Sequence, residues 1–308
     1  MDKLSIIVPC YNEEQSLPLL YKELADVASE MGKLEFEFVF VNDGSRDMTN
    51  SVIKRLKQGD SRIRYLSFSR NFGKEAAIFA GLNMSSGDYI AVIDADLQDP
   101  PAMIPEMYNM LKGSDYDCVA TYRANRKGES RVRTFFAKLF YKLINAISDT
   151  EIMSGARDFR LMTRQMVDAI LRLSEHNRFS KGIFAWVGFN TKWLAFDNVP
   201  RVAGESKWSF LKLMFYSLEG IIAFSTRPLY IASAFGLLFC LIAFIMICAI
   251  IFKTLVFGEK VQGYPSMMCV IFFIGGIQLF CIGILGQYLA KTYSEAKRRP
   301  IYIVREEG

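Results

Sequence analysis

Asp94-Ala95-Asp96 follows the apolar run Tyr89–Ile93 directly. In an extended or turning segment, side chains two residues apart can converge on one hard cation, and Gln98 continues the spacing with an amide oxygen. Mg²⁺ and Mn²⁺ favour such oxygen ligands and often share them with substrate phosphates. A lone Asp-x-Asp is usually a surface turn. Here Asp43, in Asn42-Asp43-Gly44-Ser45, follows a second strand-like run, and Pro9-Cys10-Tyr11-Asn12-Glu13 follows a first. Acidic residues after three separate strands can meet at one sheet edge, so a divalent metal site is expected there.

The elements that must position them alternate in type. Leu4–Pro9, Phe36–Val41, Arg64–Ser67 and Tyr89–Ile93 read as strands, and Ser16–Met31, Met48–Gln58 and Lys74–Met84 as helices. This rhythm predicts an α/β fold, a mostly parallel sheet covered by helices, with ligands outside the carboxyl ends of its strands. There is no G-x-G-x-x-G. Gly73-Lys74 resembles the end of a P-loop, but Phe68 stands where the first glycine is required, so neither common nucleotide signature is present.

The remaining sequence is apolar in two places. With 308 residues, 51% hydrophobic and 22% charged, a packed core is assured and disorder is excluded as the main state. The mean hydropathy of +0.17 is high for a soluble enzyme. The excess lies in two uncharged runs, Leu229–Phe252 and Tyr264–Ala290. The first, of about 24 residues, would reach about 36 Å as a helix, enough to cross a bilayer core. Arg227, Lys207 and Lys212 precede them and Lys291, Lys297, Arg298 and Arg299 follow. That bias predicts two transmembrane helices with both termini and the N-terminal region on the cytoplasmic side. No signal peptide is expected, since the N-terminus runs straight into a strand.

Two amphipathic segments adjoin these runs. Ser130–Ser148 carries Val132, Phe135, Phe136, Leu139, Phe140, Leu143, Ile144 and Ile147 at helical spacing, with Arg131, Lys138 and Lys142 off that face. Such a basic amphipathic helix suits the membrane interface, although the same stripe also fits a core-facing helix. Lys207–Phe224 is a second candidate. The net charge of +5 is too mild to imply nucleic acid, and none is expected as a partner. Six cysteines exclude a disulfide scaffold, and the sole histidine, His176, excludes a His-rich zinc site.

Six stretches together carry a family resemblance: Ile6–Glu13, Val41–Ser45, Ser69–Glu75, Asp94–Pro100, Gly155–Arg160 and Arg201–Trp208. In this order the sequence resembles glycosyltransferase family 2 with a GT-A fold. It is most similar to the bacterial polyprenyl-phosphate subgroup, related to dolichol-phosphate mannose synthase. The resemblance covers the N-terminal region end to end and implies four parts. These are a cytosolic catalytic domain over 1–205, an interface helix over 206–228, a two-helix membrane domain over 229–290 and a cytoplasmic tail over 291–308.

The resemblance also implies roles. Pro9, Tyr11, Glu13, Asp43, Asp94 and Lys74 would hold the nucleotide sugar. Asp94, Asp96 and Gln98 would bind Mg²⁺ or Mn²⁺ on the diphosphate. Asp158, with Asp96, would be catalytic, either as a base or as an electrostatic partner at the reacting carbon. Arg123, Arg126, Arg131, Arg133, Arg201, Ser206 and Lys207 would face the diphosphate and the acceptor. Blander roles remain for some of these: Tyr11 could simply pack, Asp158 could pair with Arg157 or Arg160, and Lys207 could be a membrane-facing charge.

The implied reaction is inverting transfer of a hexose to polyprenyl phosphate, with UDP-glucose and undecaprenyl phosphate as the chosen pair. UDP-N-acetylglucosamine, UDP-galactose, GDP-mannose and a UDP-aminopentose stay open as donors. Relatives in this subgroup often form homo-oligomers, so one is expected. A processive polysaccharide synthase is disfavoured, because no Arg-Trp pair occurs. A non-catalytic membrane scaffold is disfavoured because Asp43, Asp94, Asp96 and Asp158 are all present.

Overall fold

The computed structural model describes residues 1–123, 153, 155–196, 227–257 and 263–308. Its centre is one eight-stranded sheet in the order β7-β5-β6-β4-β1-β2-β3-β8. The strands are β1 (Lys3–Cys10), β2 (Glu35–Asn42), β3 (Ile63–Phe68), β4 (Tyr89–Val92), β5 (Cys118–Arg123), β6 (Ala156–Thr163), β7 (Thr191–Phe196) and β8 (Val304–Glu307). The helices α1 (Leu17–Glu30), α2 (Thr49–Gly59), α3 (Lys74–Met84), α4 (Ile104–Lys112), α5 (Arg164–Leu171) and α6 (Ser180–Trp186) flank it.

Alternation along the strands divides the core. Leu4, Ile6 and Val8 of β1 join Phe38 and Phe40 beneath α1 and α4. Ile7 faces the other way and joins Val39 and Val41 beneath α3 and α5. Because both faces are covered, central strands read as continuous apolar runs, as parallel sheets require.

The sheet is less parallel than the sequence rhythm predicts. β1 pairs in parallel with β2 and β4, β2 with β3, and β5 with β7. β6 runs antiparallel between β4 and β5, and β8 runs antiparallel to β3. The carboxyl ends of β1–β5 and β7 therefore share one edge with the amino ends of β6 and β8. All the acidic strand-end residues lie at that edge.

The predicted tail is partly sheet. Tyr302 stacks on Phe68 at 5.0 Å, Ser69 N donates to Ile303 O, and β8 covers the β3 edge. The charges of Arg305, Glu306 and Glu307 belong to an edge strand, where charge is common because it discourages further pairing. Residues 291–296 continue the preceding helix.

At the C-terminus stand two long helices, α7 (Arg227–Phe257) and α8 (Tyr264–Ala296). They touch through Phe239 and Phe273, edge to face at 5.4 Å. Both exceed the uncharged runs, because a helix continues through charged turns where nothing breaks it. Among the described residues one stretch, Phe273–Ala296, is long and apolar enough to cross a membrane, and none of it is buried. The foot of α8 grips the sheet domain: Glu295 accepts from His176 N at 2.9 Å, and Lys291 Nζ donates to Asn177 Oδ1 at 3.0 Å. The expected interface helix over 130–148 and residues 206–226 of the second one lie outside the described residues, while 227–228 belong to α7.

Candidate active site

Four loops meet at the shared edge. The loop after β2 turns at Gly44, with φ 61°. A Cβ there would sit 2.3 Å from the carbonyl carbon of Arg70, so only glycine lets this loop lie against the loop after β3. Asp43 then reaches across. It accepts from Phe72 N at 2.6 Å and from Gly73 N at 3.0 Å. These bonds fasten the start of α3, and with it Lys74. Asp43 is 3% exposed. Burial pushes its carboxyl up to about 6, against the two backbone N–H groups that pull it down.

Lys74 is the hub. Its Nζ lies 2.6 Å from Asp94 Oδ1 and 2.5 Å from Asp158 Oδ2. The side chain keeps 41% of its surface open to solvent while the ammonium bridges two strand ends, after β4 and in β6. Desolvation opposes the lysine's charge, but Asp158 and Asp94 outweigh it and hold Lys74 well above the ordinary lysine value. Burial likewise opposes the charge on Asp158; Lys74, then Lys181, outweigh it and hold Asp158 below the usual carboxylate range. Asp158 is thus an anion throughout the physiological range.

A second ion pair backs the first. Arg157 Nε donates to Asp99 Oδ1 at 2.9 Å, and its Nη2 lies 3.9 Å from Asp94 Oδ2. Asp99 is fully buried, and burial pushes its carboxyl up to about 6 despite Arg157. Asp99 Oδ2 and Arg157 Nη2 have no hydrogen-bond partner. Between them the Asp94–Asp99 turn passes through a left-handed Leu97, φ 59°, a conformation uncommon outside glycine and concentrated at functional sites. Asp96 is 7% exposed and accepts from Gln98 N at 3.2 Å.

Of the residues singled out in the sequence, Lys74, Asp94 and Asp158 are in contact, Asp96 and Gln98 lie in the same turn as Asp94, and Asp43 fastens the loop that leads into Lys74. Pro9 and Tyr11 stand at the end of β1, half-buried. Glu13 is turned to a local task, accepting from Ser16 Oγ at 2.6 Å at the start of α1. Arg123 ends β5 at the same edge. Arg126, Arg131, Arg133, Arg201, Ser206 and Lys207 lie outside the described residues. The sequence offered Arg157 only as a possible partner of Asp158 and gave Asp99 no role; their own ion pair is long-range. It also missed Glu75, which accepts from Ser180 N at 2.8 Å and from Ser180 Oγ.

Among the described residues no group of three or more carboxylate, histidine or cysteine side chains forms a metal cage. Magnesium and manganese need none, since one or two carboxylates suffice when substrate phosphates complete the shell. Asp94 and Asp96, two apart across a turn, fit that arrangement, and Asp94 already attracts a cation, the Lys74 ammonium.

Residues 5–171 match the Glycosyl transferase family 2 profile. A bactoprenol glucosyl transferase of Shigella phage SfV is 44% identical over 305 residues, covering 99% of each chain. A protein of Escherichia coli strain K12 described as a prophage bactoprenol glucosyl transferase homolog is 44% identical over 303 residues, 98% of each chain. Mannosyl-3-phosphoglycerate synthase from Rubrobacter xylanophilus superposes with a TM-score of 0.50 at 18% identity, over 74% of each chain, a likeness of fold alone.

Proposed function

We propose, since the chain belongs to glycosyl transferase family 2, that it transfers glucose from UDP-glucose to a polyprenyl phosphate, with inversion, at a membrane surface. The observation that carries this reading is the Lys74–Asp94–Asp158 bridge at the sheet edge, where a sugar diphosphate would lie. The full-length likeness to chains named bactoprenol glucosyl transferase supports glucose and the lipid acceptor.

The chemistry needs cations more than it needs a base. A phosphate oxygen of the acceptor attacks the anomeric carbon. The bond from that carbon to the diphosphate oxygen breaks, and UDP leaves with the electron pair. The acceptor oxygen is already anionic near pH 7, so no proton has to be removed from it. Asp158, held ionised by Lys74, stabilises positive charge growing at the anomeric carbon. Asp94 and Asp96, with Gln98, would hold Mg²⁺ or Mn²⁺, which as a Lewis acid would offset charge on the departing diphosphate. Asp43, through Phe72 and Gly73, fixes the loop that presents Lys74. As an acceptor with lone pairs left over, it also suits donor groups of the nucleoside.

In this reading α7 and α8 are a membrane-spanning pair, with the sheet domain on the cytoplasmic side. A long isoprenoid then stays in the lipid and only its phosphate enters the edge. The test is a donor panel with undecaprenyl phosphate, the lipid product being identified by mass spectrometry and its anomeric configuration by NMR. A β-glucosyl phospholipid is expected from α-linked UDP-glucose. A product from another donor alone would displace glucose, and an α-linked product would refute inversion.

A further inference from the structure

A cavity of about 180 Å³ lies beside the bridge, under α6. From the sheet it is lined by Ala156 and Arg160 of β6 and by Thr191 and Trp193 of β7. Ala120 of β5 is the register partner of both Arg160 of β6 and Trp193 of β7. A small residue between two large ones leaves a hollow, and Lys181 and Phe184 of α6, with Phe189 and Met153, close over it.

The cations here act on Asp158 through space but form no contact ion pair among the described residues. Arg160 is 3% exposed. Its guanidinium lies 3.7 Å from the centre of the Phe184 ring, and it donates to Arg157 O at 2.9 Å and Asp158 O at 3.4 Å. Among the described residues neither Arg160 nor Lys181 makes an ion pair; the nearby bridges involve Lys74 and Arg157 instead. A buried guanidinium that feels Asp158 and Glu75 only through space, with no contact ion pair, is a costly arrangement that a bound anion relieves. Burial accordingly pulls Arg160 below the ordinary arginine value.

Position and shape narrow the anion. Arg160 is two residues beyond Asp158 on the same strand face, about 7 Å along β6. The cavity is smaller than the roughly 300 Å³ at which drug-sized sites begin, so a sugar nucleotide does not fit. The walls of Phe184, Phe189, Trp193 and Met153 are apolar. We infer that Arg160 and Lys181 form the subsite for the acceptor's phosphate monoester, with the first isoprene unit against the aromatic wall. This rests on the reading of the chain as a polyprenyl-phosphate transferase and places the attacking oxygen next to Asp158. Arg–phosphate pairing is strong and directional, and Lys181 adds a mobile second charge.

The test uses the full chain in detergent micelles, with farnesyl phosphate as probe. Binding is followed by tryptophan fluorescence and transfer by label from UDP-glucose. Lys181→Met is expected to weaken farnesyl phosphate binding and raise its KM by about tenfold, the loss of one charged hydrogen bond, with the UDP-glucose KM within twofold. Lys181→Arg should restore most of the loss. Inorganic phosphate should compete with farnesyl phosphate, and farnesol should bind at least tenfold more weakly than its phosphate.

Unchanged farnesyl phosphate binding in both Lys181→Met and Trp193→Ala overturns the subsite, as does a rise confined to the UDP-glucose KM. If the wild-type chain binds farnesyl phosphate at this site but transfers no sugar to any polyprenyl phosphate, the functional reading fails while the anion subsite stands.

Discussion

Asp43 couples donor binding to pH. Burial pushes its carboxyl up to about 6, outweighing the Phe72 and Gly73 N–H bonds. A carboxyl raised in the folded state stabilises the fold while protonated, and that contribution is lost as pH rises through about 6. Between the ordinary aspartate value of 3.8 and about 6, at about 1.36 kcal/mol per factor of ten, the charge costs about 3 kcal/mol. The ionised form is the one that holds the 72–73 amides and can accept from a nucleoside.

Donor affinity should therefore be flat above pH 7 and fall about fivefold from pH 6 to pH 5, as the charged fraction falls. Titration calorimetry with UDP-glucose at constant Mg²⁺ reads this cleanly, because its diphosphate has no group titrating in that range. Asp43→Asn should flatten the profile and weaken binding at pH 7.5 by about tenfold or more, the worth of one charged hydrogen bond. An affinity that holds constant from pH 5 to pH 8 in the wild type, or an Asn variant that keeps the wild-type slope, would refute this reasoning.

Two further perturbations follow from the same contacts. Lys74→Met removes the ammonium from between Asp94 and Asp158, so transfer should fall at least about 100-fold. Thermal unfolding should show a loss of about 1–3 kcal/mol, below the figure for a fully buried pair because the lysine is 41% exposed; wild-type turnover in this variant would remove Lys74 from the mechanism. Removing residues 300–308 uncovers the β3 edge and the Phe68 ring that Tyr302 covers. The truncated chain should melt several degrees lower and aggregate more readily in light scattering, and unchanged melting would show that β8 contributes nothing to the sheet.

Much of the site was legible in the sequence because strand ends are marked by residue type. Asp43, Asp94 and Asp96 each follow an apolar run, and a parallel arrangement brings such ends to one edge. The reversal of β6 was not legible, since nothing local distinguishes a strand entering the sheet from the opposite side. Yet that reversal sets Asp158 and Arg157 opposite Asp94. The Arg157–Asp99 pair and the Ala120 hollow depend on register across the sheet, which periodicity along one strand does not encode. The tail failed for another reason: its charges resemble those of a solvated extension, and the apolar run Ile301–Val304 was too short to stand out.

Glycosyl transfer to a lipid phosphate at the Lys74–Asp94–Asp158 edge can be read directly. The most direct measurement incubates the purified chain with labelled UDP-glucose, undecaprenyl phosphate and Mg²⁺ or Mn²⁺, and counts label in the organic phase. Label is expected that requires the metal and disappears with chelator or in Asp96→Asn. An organic phase that stays unlabelled with every nucleotide sugar tried, or labelling that Asp96→Asn leaves intact, would contradict it.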